Sequence, residues 1–136
     1  MAHSGYSHII IVCTTCRHTG LTCRPGYDLI AKLNAALVAA GPALANDFQV
    51  SGTSCLAGCS RPCTVAFRAD AKATYVFGDI SDDCDVEALV QFAGLYAVRG
   101  DGMSKASEHP QELRFKTLAR IPAAVIACVP RGGAIQ

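Results

Sequence analysis

The sequence predicts an α/β domain with the element order β-α-β-β-β-α, followed by a C-terminal tail. Three observations carry that expectation. His8-Ile-Ile-Ile-Val12 is a continuous apolar run rich in β-branched residues, the pattern of a central strand buried on both faces. Leu29, Leu33, Ala36, Leu37 and Ala40 recur at helical spacing until Gly41-Pro42 stops the run. Val86, Leu89, Val90, Ala93 and Ala97 form a second helical stripe further on.

The remaining elements fall between these. The first strand runs directly into Cys13. Residues 14–26 hold Thr, Gly20, Pro25 and Gly26 and read as loop, with the helix beginning at Tyr27. Asp47–Ser51 alternates Phe48 and Val50 with polar neighbours, as a half-buried strand does. Thr64–Arg68 and Thr74–Gly78 read as a hairpin joined through residues 69–72. Asp82, Asp83 and Asp85 supply helix caps and a negative first turn. Gly100-Asp-Gly102 breaks the pattern. Residues 1–100 thus read as the domain and 101–136 as a C-terminal extension packed on it. The extension holds a polar loop, a short helix from Pro110 to Ala119 and an apolar segment from Ile121 to Val129.

Composition narrows the function classes. The chain has 136 residues, 51% of them hydrophobic, enough for a real core and too apolar for wholesale disorder. Its net charge of +1 gives no long-range field, and no basic helix argues for nucleic acid. The N-terminus lacks a positive n-region, and no stretch approaches the ~20 apolar residues of a membrane span. These features predict a cytoplasmic protein. In that compartment clustered thiols act as ligands or redox groups more often than as disulfides.

Six of the eight cysteines lie in two groups: Cys13-Thr-Thr-Cys16 with Cys23, and Cys55-Leu-Ala-Gly-Cys59-Ser-Arg-Pro-Cys63. Four thiolates complete a site for zinc or for an iron–sulfur cluster. A C-x2-C pair at a strand end and a C-x3-C pair in a tight loop can each grip one metal atom. Two pairs from separate segments suit a two-iron centre. Cys84 and Cys128 stand alone and read as ordinary residues. His3, His8, His18 and His109 are scattered and carry no catalytic expectation. No triad, paired catalytic carboxylates or phosphate loop is present, so an electron carrier is expected rather than an enzyme.

The cysteine pattern resembles a known family. Cys55-Leu-Ala-Gly-Cys59, then Pro62 and a strand, looks like the second half-site of the thioredoxin-like 2Fe–2S ferredoxins. That resemblance covers residues 8–98. It implies a thioredoxin-like ferredoxin domain, a 2Fe–2S cluster and one-electron transfer. Carried over residue by residue, it points to Cys13, Cys55 and Cys59 as ligands; with Cys16 as the fourth, the expected set is Cys13, Cys16, Cys55 and Cys59. Two departures bear on that set. The ferredoxin pattern spaces its first pair more widely, which favours Cys23 over Cys16. Cys63 stands where those ferredoxins usually have proline, and could serve as a spare thiol or exchange in. The compact pair is preferred because a shorter loop closes at lower entropic cost.

Cys13-Thr-Thr-Cys16-Arg, residues 55–63, Thr74-Tyr-Val-Phe-Gly-Asp79 and Leu118-Ala-Arg-Ile-Pro122 also resemble a bacterial family of predicted metal-binding proteins. Some of its members are linked to cobalamin metabolism.

Arg17, His18, Arg24 and Arg61 flank the thiols. Cations there favour a reduced, more negative cluster and imply a redox partner with an acidic surface. A homodimer is compatible with the sequence. Two other readings use the same residues: a zinc-binding structural or metal-handling protein, and a thiol–disulfide oxidoreductase built on Cys13 and Cys16.

Overall fold

The structure is a computed structural model that describes residues 7–16, 21–22, 24–53, 63–81 and 84–123. Strand β1, His8–Cys13, is followed by the short strands β2, Thr15–Cys16, and β3, Leu21–Thr22. Helix α1 is Arg24–Ala40, α2 is Pro42–Asp47 and β4 is Phe48–Thr53. Then come β5, Val65–Ala69, β6, Thr74–Phe77, α3, Val86–Val98, and β7, Thr117–Ile121.

The main sheet has five strands in the order β4-β1-β5-β6-β7. Among the described residues only the β1–β4 pair is parallel, from His8 opposite Phe48 to Cys13 opposite Thr53. A parallel neighbour needs a crossover, and α1 with α2 supplies it. The other pairs are antiparallel. Helix α1 packs on β1, β4 and α3. The α/β order, the central position of the first strand and the hairpin from β5 to β6 match the sequence reading.

The apolar faces explain this layering. Leu29, Leu33 and Leu37 recur every fourth residue along α1, and all three are buried. Ile10 and Val12 of β1 face the same core and are fully buried. Ile9 and Ile11, on the alternate face, are only half-buried, so β1 is central without being sealed on both sides. Gly41 adopts φ 124, a conformation costly for side-chain-bearing residues, and Pro42 opens α2 behind it.

Phe92 of α3 sits at the hub of the core. Its ring lies 4.8 Å from Phe67, 5.0 Å from Tyr75 and 5.0 Å from Phe77, each edge to face. His109 joins this group at 5.1 Å from Phe92.

The structure corrects several expectations. Residues 14–26 are not all loop: Thr15–Cys16 pairs with Leu21–Thr22 as a small hairpin. Helix α1 starts at Arg24 rather than Tyr27, with Pro25 in its first turn, where no N–H is needed. The helix expected over 110–119 is instead a single 3-10 turn, Gln111–Leu113, followed by β7. The reason is tertiary. β6 would otherwise be a sheet edge, and Thr117–Ile121 satisfies its free backbone groups. Asp85 does not cap α3 with its side chain. Its buried carboxylate accepts instead from the Ser81 N–H at 2.7 Å and from Lys116 Nζ at 2.5 Å. Asp82, Asp83 and the segment after Ala123 lie outside the described residues. No helix among the described residues is long and apolar enough to cross a membrane.

Two buried histidines lie against this core, His8 at the start of β1 and His109 between α3 and β7. His8 Nε2 accepts from Lys72 Nζ at 2.8 Å, and His8 Nδ1 lies 3.4 Å from Asp47 Oδ2. Lys72 also donates to the carbonyls of Tyr96 and Ala97 at the C-terminal end of α3. Burial pushes the His8 pKa down, and the Lys72 charge adds to it. His109 is 4% exposed, with Nε2 on Ser104 Oγ at 2.8 Å. Its Nδ1 is buried with no protein partner among the described residues, and burial lowers its pKa too.

Two predictions follow from this packing. Phe92→Ala removes the hub of the aromatic cluster and is expected to cost about 3–5 kcal/mol in urea denaturation. For the histidines, both folded-state pKa values lie below the ordinary 6.5, so the unfolded chain binds more protons in that window. Stability should be flat above pH 6.5 and fall as the pH drops below it. Thermal unfolding from pH 5 to 8 checks this. The His8→Gln/His109→Gln double variant should lose much of that acid dependence.

Candidate metal centre

The candidate site forms at the end of the sheet where β1 and β4 stop. Cys13 is the last residue of β1 and is 8% exposed. Parallel pairing sets Thr53, the last residue of β4, directly beside it. On the other flank of β1, β5 begins at Val65, which pairs with Val12. The Cys13 N–H donates to the Thr64 carbonyl at 3.0 Å. Cys63 and Thr64, just before β5, are both buried.

The two ends of the 54–62 segment are thereby fixed. It departs from Thr53 on one side of Cys13 and re-enters at Cys63 on the other. With strands about 4.8 Å apart, those ends are separated by on the order of 10 Å. The segment carries Cys55 and Cys59.

Hydrogen bonds brace both ends. Thr14 donates to the Thr53 carbonyl twice, from its N–H at 2.7 Å and from Oγ1 at 2.9 Å. The Ile80 N–H donates to the Cys63 carbonyl at 3.1 Å. The latter ties the β5 entry to the turn leading into α3.

Both long helices start at this end. α1 follows the β2–β3 hairpin that leaves Cys13, and its far end leads through α2 to the opposite end of the sheet. The far end of α3 is held by Lys72, also at the opposite end. Helix N-termini carry a partial positive charge that favours nearby anions such as thiolates. Lys116, which follows the exposed Phe115, is at this end too, its N–H donating to the Leu113 carbonyl and its carbonyl accepting from Gly78.

Of the expected ligands, Cys13 is where the sequence reading placed it. Cys16 lies in β2, opposite Leu21. Cys55 and Cys59 lie outside the described residues, as do Cys23, Arg17, His18, Arg61 and Cys128. Cys63 is 7% exposed beside the site, and Cys84 is exposed in the turn before α3. Among the described residues no group of three or more His, Cys, Asp or Glu forms a metal site. Thr14, Gly52 and Thr53 escaped the sequence reading. A glycine inside a strand signals a close approach, and Gly52 was the available clue.

Comparison with known proteins bears on this arrangement. The chain is similar to the structure of a thioredoxin-like [2Fe-2S] ferredoxin from Aquifex aeolicus, at 15% identity and a TM-score of 0.57. The match covers 85% of this chain and 93% of that one. A second structure, the wild-type thioredoxin-like [2Fe-2S] ferredoxin of Aquifex aeolicus, matches at 17% identity and a TM-score of 0.56. It covers 84% of this chain and 98% of the other. At these identities the likeness establishes the fold, which is the thioredoxin-like ferredoxin fold expected from the sequence. No curated protein matches the chain. A family model described as "Protein of unknown function (DUF1636)" matches residues 10–123.

Proposed function

The chain belongs to the DUF1636 family, and we propose that it is an electron carrier holding a 2Fe–2S cluster through two cysteine pairs. The observation that carries the proposal is the bracketing of Cys13 by the two ends of the 54–62 segment. It supports bringing Cys55 and Cys59 to the same sheet end as Cys13 and Cys16.

The donor chemistry fits the group. Four thiolates from two separate segments match a cluster with two irons, one pair to each. The buried position of Cys13 lowers the local dielectric, and two helix N-termini offset the negative charge. When bound, such a cluster supplies one-electron transfer. The neighbours of the same fold are 2Fe–2S ferredoxins by description, which supports the reading.

The chain's own residues would then hold the cluster, shield one side of it and set its charge environment. Arg17, His18, Arg24 and Arg61 flank the ligands in sequence and would present a basic rim. A redox protein with an acidic face is the partner that this rim fits, through faster encounter rather than tighter binding.

Substitution of single thiols tests the ligand set. Cys55→Ser and Cys59→Ser should each abolish the visible absorption of anaerobically purified protein. Cys84→Ser should leave it unchanged, since Cys84 is exposed before α3. Cys16→Ser should lose the cluster or shift its spectrum, while Cys23→Ser stays native. The reverse result for Cys16 and Cys23 would give the ligand role to the wider spacing. A colourless wild-type protein holding stoichiometric zinc would overturn the iron–sulfur reading itself.

A further inference from the structure

We propose that Thr14 is a positioning residue that fixes the spacing between the two halves of the metal centre. The inference rests on the metal-centre reading above and adds a residue that neither the thiol pattern nor the fold assigns.

The β1–β4 ladder ends at Cys13 and Thr53. Past the ladder, Thr15–Cys16 pairs with Leu21–Thr22 rather than with β4, and Cys55 follows Thr53 by two residues in sequence. Thr14 bridges the two strands at their last pair. Its N–H and its hydroxyl both donate to the one carbonyl oxygen of Thr53, at 2.7 and 2.9 Å. One side of this bridge lies a single residue from Cys13. The other lies two residues from Cys55. A change in the bridge therefore moves a ligand of one pair relative to a ligand of the other.

The surroundings are shaped to hold the threonine. Thr14 is 9% exposed, so little water competes for the carbonyl. Gly52, beside it on β4, has no side chain to displace it. A Cβ there would come within 2.8 Å of Thr14 Cγ2 and 3.3 Å of Ile30 Cδ1. The glycine thus makes room for the threonine methyl against α1. Replacing a group that orients a metal ligand typically costs about ten- to a hundred-fold in metal affinity.

A plain strand-end cap would affect stability alone. A positioning residue also changes how the centre is held, and three full-length variants separate the two roles. Thr14→Val keeps the shape and the N–H bond but removes the hydroxyl. Thr14→Ser keeps the hydroxyl. Gly52→Ala leaves Thr14 in place but pushes on it. All are purified anaerobically and challenged with a chelator, with the visible circular dichroism spectrum recorded. Thr14→Val should release its metal about ten-fold faster or more, with an altered spectrum. Thr14→Ser should behave as wild type, and Gly52→Ala should resemble Thr14→Val. Equal retention and equal spectra for Thr14→Val and wild type would overturn the role of Thr14, whatever the melting temperatures. Wild-type protein that holds zinc would overturn the iron reading alone. The retention assay would then be read on zinc, with the same expectations. Wild-type protein that binds neither metal would overturn both.

Discussion

The constraint on which the site depends is that β1 lies between a parallel partner and an antiparallel one. Parallel pairing with β4 makes the two strands stop together, at Cys13 and Thr53. Antiparallel pairing with β5 makes the chain return at that same end, through Cys63 and Thr64. A segment that leaves one neighbour of β1 and enters the other must begin and end on opposite sides of Cys13. The backbone ladder alone sets the two ends of that segment on either side of Cys13, with the helical crossover closing the parallel pair.

The two ends of the sheet are built differently. At the far end, Lys72 is satisfied by His8 and by two carbonyls of α3, and Asp47 lies beside the imidazole. His8, Lys72 and Asp47 are thus partnered with one another, and the cluster locks the first strand, the β5–β6 turn and the last turn of α3. Tyr96 adds to the lock, its hydroxyl donating to the Ala73 carbonyl while burial pushes its pKa up to about 12. At the Cys13 end, backbone hydrogen bonds join Cys13 to Thr64, Thr14 to Thr53 and Ile80 to Cys63 among the described residues, and both long helices start there. The Asp85–Lys116 pair there ties the C-terminal segment to the start of α3. A rigid, charge-satisfied base and an end with positive helix dipoles suit a centre built from thiolates.

Much of this was legible in the residues. The β-branched run of β1, the leucine spacing of α1, the alternation in β4 and the hairpin pattern of β5 and β6 are local signals, and the folded chain follows them. The C-terminal segment was not legible. Pro110 to Ala119 can be read as a helix locally, but the unpaired edge of β6 recruits Thr117–Ile121 as a strand. Propensity yields there to backbone hydrogen bonding, which no local pattern reveals. In the site, the position of Cys13 at a strand end could be read directly. The role of Thr14 could not, because it depends on the register of β4 and on the gap left by Gly52. Both are long-range facts.

The central claim is that the two thiol segments share one centre of two irons. Iron and acid-labile sulfide analysis of anaerobically purified protein, with an EPR spectrum after reduction, tests it most directly. A shared two-iron centre gives about two irons and two sulfides per chain and an S = 1/2 signal on one-electron reduction. Stoichiometric zinc with no sulfide and no EPR signal would contradict it.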